Sequence, residues 1–145
     1  MLQAVKAQAP TSAAFGITTR ISVASDGSQG NGWSEDSAIS ADGRYVAFSS
    51  EAKNLVSEDT NGYRDVFVHD RLNGDTELVS VSSDGTQADS ASWVPSISAD
   101  GRYVTFTSWA SNLVAGDTNG ESDIFKHDRQ GRNYLFYLPI SQKQP

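Results

Sequence analysis

The stretch SISADGRYVTFTSWASNLVAGDTNGESDIFKHDR, residues 96–129, repeats AISADGRYVAFSSEAKNLVSEDTNGYRDVFVHDR, residues 38–71, at an offset of 58 residues. Laid over each other without a gap, residues 20–71 and 78–129 are identical at more than half of their positions. A fixed period of this size constrains the fold strongly. Each repeat is one supersecondary unit that buries its apolar face only against a neighbour.

The content of a repeat follows from local pattern. Residues 44–50, RYVAFSS, and 102–108, RYVTFTS, are rich in β-branched and aromatic residues, and each follows an Asp-Gly turn signal. Upstream, SAIS and VPSIS are expected to be short strands that end at ADGR, a tight polar turn suited to an antiparallel hairpin. DVFVHD and DIFKHD supply a third strand, and ELVSVS at 77–82, reached through Asn73-Gly74, a fourth. No helical periodicity interrupts this pattern. The expectation is an all-β chain with two four-stranded antiparallel units of the β-propeller blade type.

The residues SADGRYVAFSS…DVFVHDR resemble the WD-repeat-like blade of TolB-type β-propellers, whose hallmark is a Ser-x-Asp-Gly-Arg/Lys turn before an apolar strand. The hallmark occurs at Ser40–Phe48 and again at Ser98–Phe106. The resemblance implies a binding platform, since propellers of this type act as such, and some cover a hydrolase domain. It also implies a ring of about six blades, within the usual four to eight, where this chain offers two. The chain opens with TTRISVAS at 18–25, a match to the fourth strand, and the repeat is lost after Arg129. The expected organisation is an N-terminal tail at 1–17, a closure strand with the first blade at 18–76, the first blade's fourth strand with the second blade at 77–129, and an atypical tail at 130–145. Thr18–Ser25 is expected to complete the last blade of a neighbouring copy, so that a homo-oligomer closes the ring, a trimer before a tetramer. YLFYLPI at 134–140 is a candidate substitute for the missing fourth strand.

Composition narrows the function classes. The chain of 145 residues carries 18 acidic and 11 basic residues, a net charge of −7, with no basic run. A nucleic-acid partner is therefore not expected. Cysteine is absent, which excludes disulfides, thiolate metal sites and thiol nucleophiles. The longest apolar stretch, 134–140, is too short for a membrane-spanning helix. Ala7-Gln8-Ala9 in the N-terminal tail is either the remnant of an export signal or part of an Ala-rich tail, and a periplasmic or extracellular location is expected on the first reading.

Candidate site residues lie in the long, polar, acidic loops, which alternate along the chain with tight turns and so belong to one edge of the blades. DTNGYRD at Asp59–Asp65 recurs as DTNGESD at Asp117–Asp123. Oxygen-bearing Asp59, Asn61 and Asp65, and likewise Asp117, Asn119 and Asp123, with a glycine at the bend, resemble a shortened calcium loop. The competing reading is an Asn-Gly turn whose aspartates hold backbone amides. His69 and His127 are expected to be structural, and Asp70 and Asp128, with Arg71 and Arg129, are candidates for ion pairs within or between blades. Trp33, Trp93 and Trp109 are either platforms for sugars or peptides or core filling between blades. Nothing assembles a nucleophile with a base and an orienter, so no catalytic residue is expected. The leading expectation is a non-catalytic propeller module, built from several chains, that binds a protein or glycan through its long loops, with calcium as a candidate cofactor. The alternative is a truncated or engineered propeller fragment that self-assembles and has no ligand.

Overall fold

The computed structural model describes residues 15–131. Strands β1 (Ser34–Ile39), β2 (Tyr45–Ser50), β3 (Asp65–Asp70) and β4 (Thr76–Leu78) form one antiparallel sheet in the order β1-β2-β3-β4. Strands β5 (Ser92–Ile97), β6 (Tyr103–Ser108) and β7 (Asp123–Asp128) form a second in the order β5-β6-β7. The chain is all-β, with no helix among the described residues.

The turn that opens each central strand is fixed by its own side chains. Ser40 Oγ donates to Asp42 Oδ1 at 2.7 Å and accepts from the Tyr45 amide at 3.0 Å, while Asp42 Oδ1 accepts the Arg44 amide. Ser98, Asp100, Arg102 and Tyr103 repeat these contacts. Gly43 and Gly101 sit at φ +73° and +75°, where a side chain is strained. Arg44 then grips Asp70 across β2 and β3 with two parallel bonds of 2.9 and 2.7 Å, and Arg102 grips Asp128 in the same way.

Two expectations are corrected. The first strand of each repeat starts earlier than SAIS or VPSIS, at Ser34 and Ser92, because a bulge interrupts the alternation that marks a strand. Asp36 and Val94 lie in these bulges at φ 50° and 51°. The fourth strand is shorter than 77–82: regular pairing with β3 ends at Leu78, and the Val79 and Ser80 amides then share Val66 O at 2.8 and 3.4 Å. Within the single chain Thr18–Ser25 joins no sheet, and among the described residues its one bridge is Val23 with Gln29. The second sheet has three strands among the described residues, and the candidate substitute at 134–140 lies outside them.

Register decides which residues share a face. In the first sheet Ile39, Val46, Phe48, Phe67 and His69 lie on one side, the Phe face, and Tyr45, Ala47, Ser49, Val66 and Val68 on the other, the Tyr face. The second sheet presents its own Phe face, with Ile97, Val104, Phe106 and Phe125, to the Tyr face of the first. Ala47, Val66 and Val68 meet Val104 and Phe106 there, sealed by Val79, Ala88, Ala110 and Leu113. Phe48 and Phe67, with ring centroids 5.8 Å apart, are covered by Ala52, Leu55 and Ile21. Large side chains on one face against small ones on the other give the volume match that close packing requires.

Tyr45 is the pin of this joint. Its ring lies flat under Gly101, where an added Cβ would approach to 2.1 Å, and the Arg44 and Arg129 guanidinium carbons stand 4.8 and 4.4 Å from its centroid. Gly43 and Gly101 share one backbone conformation, but a Cβ at Gly43 would meet nothing closer than 3.6 Å. Gly43→Ala is expected to cost about 1 kcal/mol from the left-handed conformation alone. Gly101→Ala is expected to cost at least about twice that, because Tyr45 is held between two arginines and cannot yield. Urea denaturation of both variants measures the difference, and equal losses would remove the pin from the account.

Candidate functional site

The tight turns gather at one edge of the two sheets, where the Arg71 amide donates to Arg44 O at 2.9 Å and the Arg129 amide to Arg102 O at 3.0 Å. The long connections, 51–64 and 79–91 with their repeat equivalents, gather at the other edge. They are tied by reciprocal amide bonds: Asn54 Nδ2 donates to Gln29 O and Asn112 Nδ2 to Gln87 O, each at 2.9 Å. Loops of different strands thus form one continuous rim.

The candidate ligand set of the first repeat converges, but not around an ion. Gln87, from the linker that follows β4, directs its amide nitrogen to Asp59 Oδ1 at 3.0 Å and to Asp65 Oδ2 at 3.2 Å. Its oxygen accepts the Thr60 amide at 3.1 Å. Asn61 spends its oxygen on the Tyr63 amide and its nitrogen on Ala88 O. Ser80 Oγ donates to Asp65 Oδ1 at 2.6 Å and accepts the Val66 amide. A hard cation needs converging oxygens, whereas the group between these two carboxylates is an N–H₂ donor. The donor set of the first loop therefore fits a hydrogen-bonded latch and does not fit a calcium cage. In the second repeat Asn119 Nδ2 turns onto Asp123 Oδ2 at 2.8 Å, and Asn119 Oδ1 accepts the Glu121 amide. Asp117 and Asp123 are half-buried, unlike fully buried Asp65.

Burial pushes the Asp65 carboxyl up to about 6, against the lowering effect of its bonds from Ser80 and Asn61; the Asp59 charge pushes it further up and the Gln87 amide draws it down. Asp70 and Asp128 move the other way, to about 2, held by the guanidiniums of Arg44 and Arg102. Ion pairs thus form within each blade, Asp70 with Arg44 and Asp128 with Arg102, while Arg71 donates to Gly43 O. Arg129 pairs with Glu77 and donates to Gly101 O. His69 is buried with Nδ1 2.8 Å from Thr76 Oγ1, and burial lowers the pKa of both His69 and His127.

A second feature of the rim is a shallow cleft of about 500 Å³ between the repeats, lined by Glu51, Lys53, Tyr63, Arg64 and Trp93. Arg64 holds its floor through ion pairs with Glu35 and Glu51. Trp93 is half-buried, Trp33 and Trp109 are exposed, and none belongs to the core clusters. Gln87 and Ser80 were missed by sequence reasoning. Their signal was their recurrence as Gln29 and Ser22.

No protein-family model matches this chain, and no curated protein matches it.

Two outcomes follow from the latch. Because the folded-state pKa of Asp65 lies above its unfolded value, its contribution to stability is full below about pH 4 and is lost as pH rises through 6, by about 3 kcal/mol. Asp65→Asn is expected to remove this slope. Chemical denaturation between pH 4 and 7 measures it, and an unchanged slope would show that Asp65 titrates normally. Melting in chelator and in excess calcium is expected to give one midpoint, since a ligand of the native state must raise it; a calcium-dependent rise would show that the ion displaces the amide.

Proposed function

We propose that this chain is a non-catalytic scaffold of the TolB-like β-propeller kind, in which copies complete one another and present a rim of long loops to a protein or glycan. The observation that carries this reading is the directional joint between the two sheets. One Phe face sits on one Tyr face, so the pair leaves one face of each kind without a sheet against it. Ile97 is packed in the joint, while its equivalent Ile39 is 57% exposed; Val66 is buried, while its equivalent Ile124 is 80% exposed. A β7 edge with no strand against it among the described residues, and exposed isoleucines, invite association.

Further units of the same kind are the natural cover, and three copies would give six blades, four copies eight. The cleft of Tyr63, Arg64 and Trp93 supports the binding role, because an aromatic wall beside fixed charges suits a sugar ring or a peptide. No reacting group is proposed: His69 is tied to Thr76, and the carboxylates of the first rim loop are held by amides.

Sedimentation equilibrium at micromolar concentration is the test. A mass of three chains is expected, and a strictly monomeric chain at all concentrations would overturn the assembly.

A further inference from the structure

We propose that a second copy of this chain docks head to tail on the Tyr face of the second sheet, setting its Gln29 amide between Asp117 and Asp123 and its Arg71 guanidinium over the Tyr103 ring. The proposal rests on the closure across chains inferred above and names the contacts that make it.

The template is the joint inside the chain. There Gln87 bridges Asp59 and Asp65, Ser80 caps Asp65, and Arg129 stands 4.4 Å over Tyr45. A shift of one repeat turns these into Gln29, Asp117, Asp123, Ser22, Arg71 and Tyr103, and all six side chains keep their identity.

The incoming side already holds the docking shape. Residues 21–30 form the same hairpin as 79–88: the Ala24 amide donates to Ser28 O as the Ser82 amide does to Thr86 O, each at 2.9 Å. Val23 pairs with Gln29 as Val81 does with Gln87. Arg71 Nη1 donates to Gly43 O, the bond that Arg129 makes to Gly101 O. Preorganised groups lose little freedom on binding.

The receiving side offers a matching seat. Beside β7 runs a groove of about 720 Å³ floored by Phe106, Leu113 and Phe125 with His127 at its side. In the first sheet the strip along β3 holds β4, whose Thr76 meets His69 and whose continuation delivers Ser80 to Asp65. Thr18 and Ser22 keep these two short hydroxyls in the right order, and Thr19 falls opposite Lys126 as Glu77 falls opposite Val68. At the same offset from Thr76 and Ser80 the sequence has Tyr134 and Leu138, neither with a short hydroxyl. The second copy is therefore the better-matched occupant.

One residue opposes the contact. Lys126 stands where Val68 is 1% exposed in the inner joint, with its ammonium 5.2 Å from the Tyr103 centroid. The outer joint is thus a weaker edition of the inner one, and the lysine sets its strength.

The natural absence of cysteine allows a direct test with the full chain. A mixture of Thr19→Cys and Lys126→Cys chains, oxidised at micromolar concentration, is expected to give a mixed disulfide dimer, because directly opposed residues on neighbouring strands lie within disulfide reach. Adding Gln29→Glu to the Thr19→Cys chain, which sets a third carboxylate against Asp117 and Asp123, is expected to reduce its yield at least tenfold. Lys126→Val alone is expected to tighten self-association at least tenfold in sedimentation, with a folded far-UV spectrum as control. If wild type assembles but neither Gln29→Glu nor Lys126→Val changes its association, the junction is wrong and the assembly reading survives. If wild type and Lys126→Val stay monomeric and no mixed disulfide forms, both fall.

Discussion

A sheet of four short strands has two faces and one chain's worth of side chains to cover them. Everything in this molecule follows from how that shortage is met. The second repeat sets its Phe face against the smaller Ala47, Val66 and Val68 of the first, so one repeat supplies the missing half of the other's core. Tyr45 under Gly101 shows how close the fit is, since the flat approach of ring to backbone leaves no room for a methyl group. The linker that joins the repeats does more than connect them. It enters the core through Val79 and Ala88 and returns through Gln87 to hold the loop that precedes β3.

The acidic loop illustrates how a motif's chemistry is decided by what faces it. Asp59, Asn61 and Asp65 have the composition of a cation site, yet an amide nitrogen within 3.2 Å of both carboxylates reverses the requirement from ligand to hydrogen-bond acceptor. Burial of Asp65 raises the cost of its charge, and three neighbouring side chains reduce it. The result is a joint whose strength varies with proton concentration between the ordinary carboxylate range and neutrality.

Much of the fold was legible because the repeat states each signal twice. The Ser-Ala-Asp-Gly-Arg turn, the central strand and the third strand fell where alternation and turn chemistry put them. The edges of the first strand were hidden because bulges at Asp36 and Val94 put consecutive side chains out of phase, and Pro95 disguises β5 further. The acidic residues of the rim were visible, but their partner was not: Gln87 lies 22 residues beyond Asp65, and only the folded linker brings it back. The two repeats also differ in an instructive way. Ile39, Val46, Phe48, Phe67 and His69 recur unchanged on the second Phe face, whereas Ala47, Ser49, Val66 and Val68 become Thr105, Thr107, Ile124 and Lys126 on the second Tyr face. The inner joint thus has a dry surface on both sides, and the outer surface has drifted toward water.

The shallow cleft on the rim carries a last consequence. A depression of about 500 Å³ open to solvent grips a single ring or side chain poorly. In an assembly of the proposed kind each chain would add one such depression on the same side at a fixed spacing. A polymeric target that engaged one would find the next at high effective concentration, and tenacity would then grow with the number of footholds rather than with the depth of any one.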